Sequence, residues 1–442
     1  MERFAMRRLC EWKDSNARKP LIVNGARQVG KTWLVCEFGR RYFEQTAHVV
    51  FLNNEEMQRV FEGSLDPNRL LALIGAVTGT NPGSGKTLVF LDEIQECPRA
   101  ITALKLFCEQ RPDVPIIAAG SLLGVALNRK NGLNHPVSWP VGKVSYLDLY
   151  PLSFVEYVQA VDASLFKLLN SGDFELVDSL SERFADLLRT YLFVGGMPEA
   201  VQRYLDTGDY AQVRNVQTEL LNGYELDFSK HASSALEVEH IRQTWKSVPT
   251  QLARESDMKR FVYANIREGA RGRDYRDAVS WLVDAGLVTK IRRASKPGMP
   301  LTAYEDNTYF KLYLLDVGLL GAATGLSARV LAEGNRLFTE YKGVYAEQFA
   351  CQQLVAAGMV PRYWSADGKQ KKGEIDFLVE AEDDVLPLEV KAGENVAGGS
   401  LSAFVKHYDL SRAVRLSMLP YKEQGWLTNI PLYGISLLEK YL

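Results

Sequence analysis

What the chain lacks narrows its reading first. Its five cysteines (Cys10, Cys36, Cys97, Cys108, Cys351) are odd in number, scattered and never in C-x-x-C spacing. That argues against a disulfide framework and against a zinc site, and it fits a reducing compartment. The histidines, His48, His135, His231, His240 and His407, stand far apart without the spacing of a helical metal pair, so each reads as a surface or capping residue. No apolar run approaches the ~18 residues of a membrane span, and Met1-Glu2-Arg3-Phe4 opens without an apolar signal core. The expected location is the cytoplasm, with no membrane partner. A net charge of −2 excludes a globally basic nucleic-acid binder and leaves room only for a local basic patch.

What is present is a globular chain of 442 residues, 46% hydrophobic and 24% charged, long enough for roughly two to four domains. Its organising stretch is Gly25-Ala26-Arg27-Gln28-Val29-Gly30-Lys31-Thr32, set between the apolar run Leu21-Ile22-Val23 and a helix-like segment over 33–43. A G-x-x-x-x-G-K-[ST] loop between strand and helix turns successive backbone N–H groups toward one point, with the positive end of the helix dipole behind them. Glycine suits the positive φ and the close backbone approach such a loop needs. Lys31 is then expected at the β- and γ-phosphates of a nucleoside triphosphate, and the Thr32 hydroxyl in the shell of a Mg²⁺ ion.

Residues 1–19 read as a polar amphipathic helix. Strands are expected at 21–24, 48–53, 87–92, 114–119 and 143–148, alternating with helical stretches, which is the pattern of a parallel sheet covered on both faces. Leu88-Val89-Phe90-Leu91-Asp92-Glu93 is an apolar strand that delivers two acids at its C-terminal end, where open α/β sheets bind ligands. It looks like a Walker B segment, with Asp92 holding the Mg²⁺ shell and Glu93 orienting the attacking water. The nearby Gly83-Ser84-Gly85-Lys86-Thr87 imitates the phosphate loop, but its first glycine, Gly79, comes one residue too early and a strand follows. It is expected to be a plain loop. Ser121, after the next strand, is placed either to sense the γ-phosphate or simply to cap a helix.

Further phrases follow in a fixed order: Leu149-Tyr150-Pro151-Leu152-Ser153-Phe154 with Glu156-Tyr157, then Tyr191-Leu192-Phe193-Val194-Gly195-Gly196-Met197-Pro198-Glu199. Lys311-Leu312-Tyr313-Leu314-Leu315-Asp316-Val317-Gly318-Leu319 and Gly373-Glu374-Ile375-Asp376-Phe377 come later. Behind the phosphate loop, these resemble the bacterial and archaeal AAA-type ATP-binding proteins that carry a C-terminal domain of unknown function. The resemblance spans essentially the whole chain. It implies an N-terminal ATPase, a helical and winged-helix middle, and an end similar to restriction-endonuclease-like folds. The choice of ATP over GTP rests on it alone.

Residues 151–235 carry helical spacing and are taken as a helical lid. The region 254–296 holds eleven Lys and Arg against six Asp and Glu, a local basic excess. Within it a helix over 274–285 ended by Gly286, a strand over 287–291, a turn at Lys296-Pro297-Gly298 and another extended run suggest a winged helix. Arg267, Arg271, Arg273, Arg276, Arg292, Arg293 and Lys296 are its candidates for neutralising the phosphates of double-stranded DNA or another nucleic acid. Equally, the arginines could pair with local acids in a module that binds protein.

Near the C-terminus, Asp376 and Glu389-Val390-Lys391 match the loose D-x(n)-E-x-K pattern of endonuclease-like sites, in which carboxylates hold Mg²⁺ and a lysine steadies hydroxide or phosphate. The segments 374–379 and 386–391 read as a hairpin. With its turn between Glu382 and Asp383, Asp376 falls opposite Glu389 and Glu374 opposite Lys391, all on one face, with Ile375, Phe377 and Val390 on the other. Glu347, on an amphipathic segment over 341–356, is placed like the upstream helical acid of such nucleases. The alternative is an exposed hairpin carrying a Glu374–Lys391 pair of little energetic weight.

The expected architecture is an α/β multidomain chain: a P-loop parallel-sheet ATPase over 1–150, a helical lid over 151–235, a winged helix over 236–330 and an endonuclease-like α/β domain over 331–442. The expected function is a Mg²⁺-dependent ATPase coupled to nucleic-acid contact. The alternative is a slow nucleotide-gated switch that binds a protein partner, its nuclease-like domain inert. Nothing singles out an arginine finger among Arg99, Arg129 and several others, and the oligomeric state is not legible.

Overall fold

The computed structural model describes residues 1–121, 139–232, 234–253, 260–327, 342–366, 373–392 and 399–441. The chain divides into two compact units, one of Met1–Tyr150 with Asp284–Gly286 and one of Pro151–Val283 with Leu287–Leu442.

In the first unit, α1 (Ala5–Asp14) leads into β1 (Leu21–Asn24), α2 (Lys31–Tyr42), β2 (Gln45–Val50), α3 (Glu55–Glu62) and α4 (Pro67–Thr78). There follow β3 (Thr87–Asp92), α5 (Pro98–Gln110), β4 (Ile116–Ala119) and β5 (Ser145–Asp148). The strands form a parallel sheet in the order β2-β3-β4-β1-β5. Alternation divides the strand side chains between two faces. Ile22, Val89, Leu91, Ile116 and Ala118 join Met57, Phe61, Leu70, Ile74, Leu104 and Phe107 of α3, α4 and α5 in one buried cluster. On α2, Leu34, Val35 and Phe38 are buried, with Phe38 against Trp12 of α1.

β2 starts and ends three residues earlier than expected. Asn53 is left-handed and Asn54 caps α3 by accepting from the Met57 N–H, so the extended run stops before them. β4 begins only after Pro115, which has no N–H to give to a ladder. Gly83 and Ser84 lie in a single 3₁₀ turn leading into β3, so the second glycine-rich stretch is indeed a plain loop.

The second unit starts with helices: α6 (Phe154–Val161), α7 (Ala163–Ser171), α8 (Phe174–Ser179), α9 (Ser181–Val194), α10 (Pro198–Thr207), α11 (Tyr210–His231) and α12 (Ala235–Ala253). Next come α13 (Gly272–Asp284), β6 (Val288–Ala294), β7 (Glu305–Leu314), α14 (Val317–Ala323) and α15 (Lys342–Ala356). The end comprises β8 (Arg362–Ser365), β9 (Glu374–Ala381), β10 (Asp384–Val390), α16 (Gly399–Tyr408), β11 (Ala413–Ser417), β12 (Lys422–Gln424) and β13 (Leu427–Pro431). The helix, strand and returning strand expected between 274 and 314 are present, with β6 and β7 antiparallel. They do not stand apart as a separate wing. β6 also pairs with β8 at Arg293 and Tyr363, giving one mixed sheet in the order β12-β13-β11-β10-β9-β8-β6-β7, which runs across the boundary expected at 330.

The sequence phrases that carry the resemblance converge, within this unit, on a buried polar network. The Tyr191 hydroxyl donates to the Leu152 carbonyl at 2.5 Å, and the Leu152 N–H donates to the Gly196 carbonyl at 2.7 Å. Asp316 accepts from the Gly196 N–H at 2.6 Å, from the Leu319 N–H at 3.1 Å and from Gln352 Nε2 at 3.0 Å. Gln353 accepts from the Phe154 N–H at 2.8 Å, and Gln348 bonds both the N–H and the carbonyl of Leu314. Burial raises the Asp316 pKa in spite of these donors and the Gly318 N–H. These residues meet a structural need, since buried backbone groups without partners are costly.

Candidate nucleotide site and C-terminal acid cluster

The phosphate loop leaves β1 at Gly25, whose φ is +148°. A Cβ there would stand 2.3 Å from the Leu149 carbonyl oxygen, so only glycine fits. Gln28 and Gly30 are left-handed, at φ 68° and 93°, and such alternation builds an anion-binding concavity from backbone. α2 begins at Lys31 with no side chain capping its N-terminus, so first-turn N–H groups are available to a ligand. Arg3 braces the loop from α1's side, donating to the Val29 carbonyl at 3.0 Å and to the Tyr150 carbonyl at 2.6 Å.

Lys31 folds back on the loop, its Nζ 2.9 Å from the Gly25 carbonyl and 2.8 Å from that of Ala26. Burial pulls its pKa down to about 8, against the upward pull of Glu93 and Asp92. The Thr32 hydroxyl donates to Asp92 Oδ2 at 3.0 Å, so the two expected Mg²⁺ ligands are already together. Glu93, left-handed at φ 52°, takes bonds on Oε2 from Gln95 at 2.5 Å and from the Ser121 hydroxyl at 3.3 Å. Ser121 thus stands beside the acid pair. Any helix it would cap lies outside the described residues. Loop, lysine, threonine and paired acids fit a Mg²⁺–triphosphate: the ion would supply charge neutralisation, and Gly25 to Thr32 would hold the phosphates.

His48 corrects an expectation. It does not sit on the surface as a cap: its Nε2 lies 3.3 Å from Asp92 Oδ2, its ring stacks on Phe90 at 4.6 Å, and Cys36 Sγ lies 3.9 Å from Nδ1. Hydrogen bonding to Asp92, then to Cys36, raises its pKa to about 9. The parallel register that sets Val50 beside Asp92 brings it there. Arg99 donates to the carbonyls of Phe61 and Gly63, at the end of α3. Arg129 and His135 lie outside the described residues.

In the basic region, Arg292 and Arg293 pair with Glu305 and Asp306, each at 2.9 Å, and Arg293 is buried. Arg267 donates to the Tyr275 hydroxyl at 2.7 Å, and Arg273 lies 3.5 Å from Asp274. Lys296 sits over the Tyr304 ring at 4.6 Å, whereas Arg271 and Arg276 are exposed. Residues 254–259 lie outside the described residues. Pairing with local acids therefore accounts for part of the expected patch.

The C-terminal hairpin pairs Asp384 with Ala381 through to Leu388 with Phe377. It is not exposed, because Asp376 and Glu389 are 8% and 5% accessible. Glu374 does not pair with Lys391: it touches Lys311 of β7, while Lys391 Nζ lies 3.0 Å from Glu389 Oε1. Asp376 Oδ2 accepts from the Val390 N–H at 2.8 Å, and Glu347 Oε2 from the Tyr313 hydroxyl at 3.2 Å. Among the described residues no three His, Cys, Asp or Glu gather as a metal cage; the carboxylates of Asp376 and Glu389 are engaged by the Val390 N–H and by Lys391.

Also among the described residues, no helix is long and apolar enough to cross a membrane. No curated protein matches the sequence. Solved structures similar to the chain include a Walker-type ATPase of Pyrococcus abyssi (14% identity, 73% of this chain and 95% of that one, TM-score 0.43). Others are the Aeropyrum pernix ORC1 protein in complex with DNA (14%, 74% and 92%, TM-score 0.28) and protein VC1899 of Vibrio cholerae (11%, 96% and 96%, TM-score 0.18). Family models match at 17–158 for an AAA domain, at 185–330 for a domain of unknown function (DUF8612) and at 342–434 for another (DUF4143). The chain thus carries an AAA domain followed by a C-terminal domain of unknown function, the composition of the AAA-type ATP-binding proteins of that kind.

Proposed function

We propose that the chain binds ATP with Mg²⁺, hydrolyses it, and uses the nucleotide state to govern contacts that its second unit makes with nucleic acid. One observation carries the ATPase reading: Thr32 and Asp92 meet at 3.0 Å, beside a Glu93 that Ser121 holds at 3.3 Å. That arrangement supplies two metal ligands, a residue to orient water and a side chain to sense the γ-phosphate, which is what in-line phosphoryl transfer requires of a protein. Exposed Arg271 and Arg276 support the nucleic-acid part. A cytoplasmic setting is supported by five cysteines that are all free. The test is phosphate release by wild type and Lys31→Ala, each with and without double-stranded DNA. Release that needs Lys31 and rises with DNA supports the whole reading; release indifferent to DNA removes the coupling.

A second reading is favoured by the pairing of Arg292, Arg293, Glu374 and Glu389 with partners inside the protein. In it the chain is a slow nucleotide-gated switch for a protein partner, and the acid cluster is inert. DNA affinity separates the two: contact with phosphates weakens steeply with salt because counterions are released, and the switch predicts no such slope. Cleavage of DNA or RNA that disappears in Asp376→Ala/Glu389→Ala would reject the inert cluster.

A further inference from the structure

The acids of the C-terminal cluster are not alone. Glu347 on α15, Glu374 and Asp376 on β9 and Glu389 on β10 share their surroundings with two lysines. One, Lys391, belongs to the expected pattern. The other, Lys311, comes from β7, outside the segment 342–434 matched by the C-terminal family. Its side chain is 1% accessible. Its Nζ touches Glu374 Oε1, lies 3.8 Å from Glu347 Oε2, and sits 4.9 Å from the centre of the Tyr363 ring. An ammonium taken so far out of water is tolerated only where opposite charge meets it. A divalent ion bound by Glu347 and Glu374 would have to occupy the same space and answer the same charge.

We infer that Lys311 is a built-in cation of this cluster: its ammonium does for Glu347 and Glu374 what a divalent ion would otherwise do, and these two acids are therefore not metal ligands in the wild-type chain. The arrangement ties α15 and β9 to β7 without any ion. It goes beyond the ATPase reading and does not depend on it, because none of the residues involved belongs to the nucleotide site.

The experiment is Mn²⁺ binding to the nucleotide-free chain of residues 1–442, followed by electron paramagnetic resonance of the free ion. Glu347→Gln and Glu374→Gln in the wild-type background are expected to leave Mn²⁺ binding unchanged. Lys311→Met, of similar length and uncharged, is expected to gain one Mn²⁺ that the wild type does not bind, and adding Glu347→Gln is expected to remove it. Loss of wild-type Mn²⁺ binding in Glu347→Gln or Glu374→Gln would overturn the inference, as would a folded Lys311→Met that gains no ion. If Lys311→Met does not fold, the double variant Lys311→Met/Glu374→Gln decides. Restored folding is expected, since the carboxylate in contact with Lys311 is gone while Glu347 keeps the Tyr313 hydroxyl as a donor, and failure to restore it would show that Lys311 does not act through Glu374.

Discussion

Lys31 Nζ donates to the Ala26 carbonyl at 2.8 Å, so the lysine that should meet phosphate is turned back onto its own loop. With its pKa held to about 8 by burial, the folded chain binds fewer protons than the unfolded one between about pH 8 and 10.5. By linkage its stability rises with pH across that window, by about 3 kcal/mol from this group. A bound triphosphate restores the charge, so binding takes up a proton above pH 8. Mg²⁺-free ATP affinity is expected to fall progressively between pH 8 and 9.5 in wild type. A flat profile would contradict this, and Lys31→Ala should bind too weakly to show one.

Thr32 and Glu93 are expected to separate binding from turnover. Thr32→Ala removes a proposed Mg²⁺ ligand and should raise the Mg²⁺ needed for half-maximal hydrolysis several-fold. Glu93→Gln should slow hydrolysis about 100-fold while ATP binding persists, because it leaves the phosphate cradle untouched. Equal rates in wild type and Glu93→Gln would remove Glu93 from the chemistry.

Gly196 has no room for a side chain. A Cβ there would lie 2.1 Å from the Leu152 carbonyl oxygen, a backbone atom. Gly196→Ala should destabilise the second unit by about 3 kcal/mol, as overpacking does, read as an earlier melt of that unit. Unchanged melting would mean that the backbone yields there.

Arg99 holds the carbonyls that end α3. Arg99→Ala should therefore lower the melting temperature of the nucleotide-free chain. A large drop in turnover at unchanged stability would instead mark it as a residue that reaches phosphate.

The phosphate loop and the acid pair were legible in the sequence because each is a local event: glycines where the backbone must turn, then an apolar strand ending in Asp92 and Glu93. The C-terminal hairpin register was legible for the same reason, since a short turn fixes which residues face each other. His48 was not legible. Its contact with Asp92 depends on parallel pairing between strands far apart in the chain, and no spacing within one segment reveals that. Lys311 was hidden likewise: read along β7 it is one charge in an apolar run, and only tertiary packing brings it to Glu374. The helix and hairpin over 272–314 are legible as elements, but their membership of the larger sheet is not, because the pairing of Arg293 with Tyr363 lies beyond the segment that suggests them.

The continuity of the second sheet bears on how such chains are inherited. The matched segments 185–330 and 342–434 look interchangeable on paper, yet β6 and β7 of one lie in the same ladder as β8 to β13 of the other. Recombination at their border would leave each fragment with an unpaired strand edge, a ready template for aggregation. The two segments are therefore expected to travel together through lineages, and swaps that keep the whole of 151–442 intact should outlive those that part it.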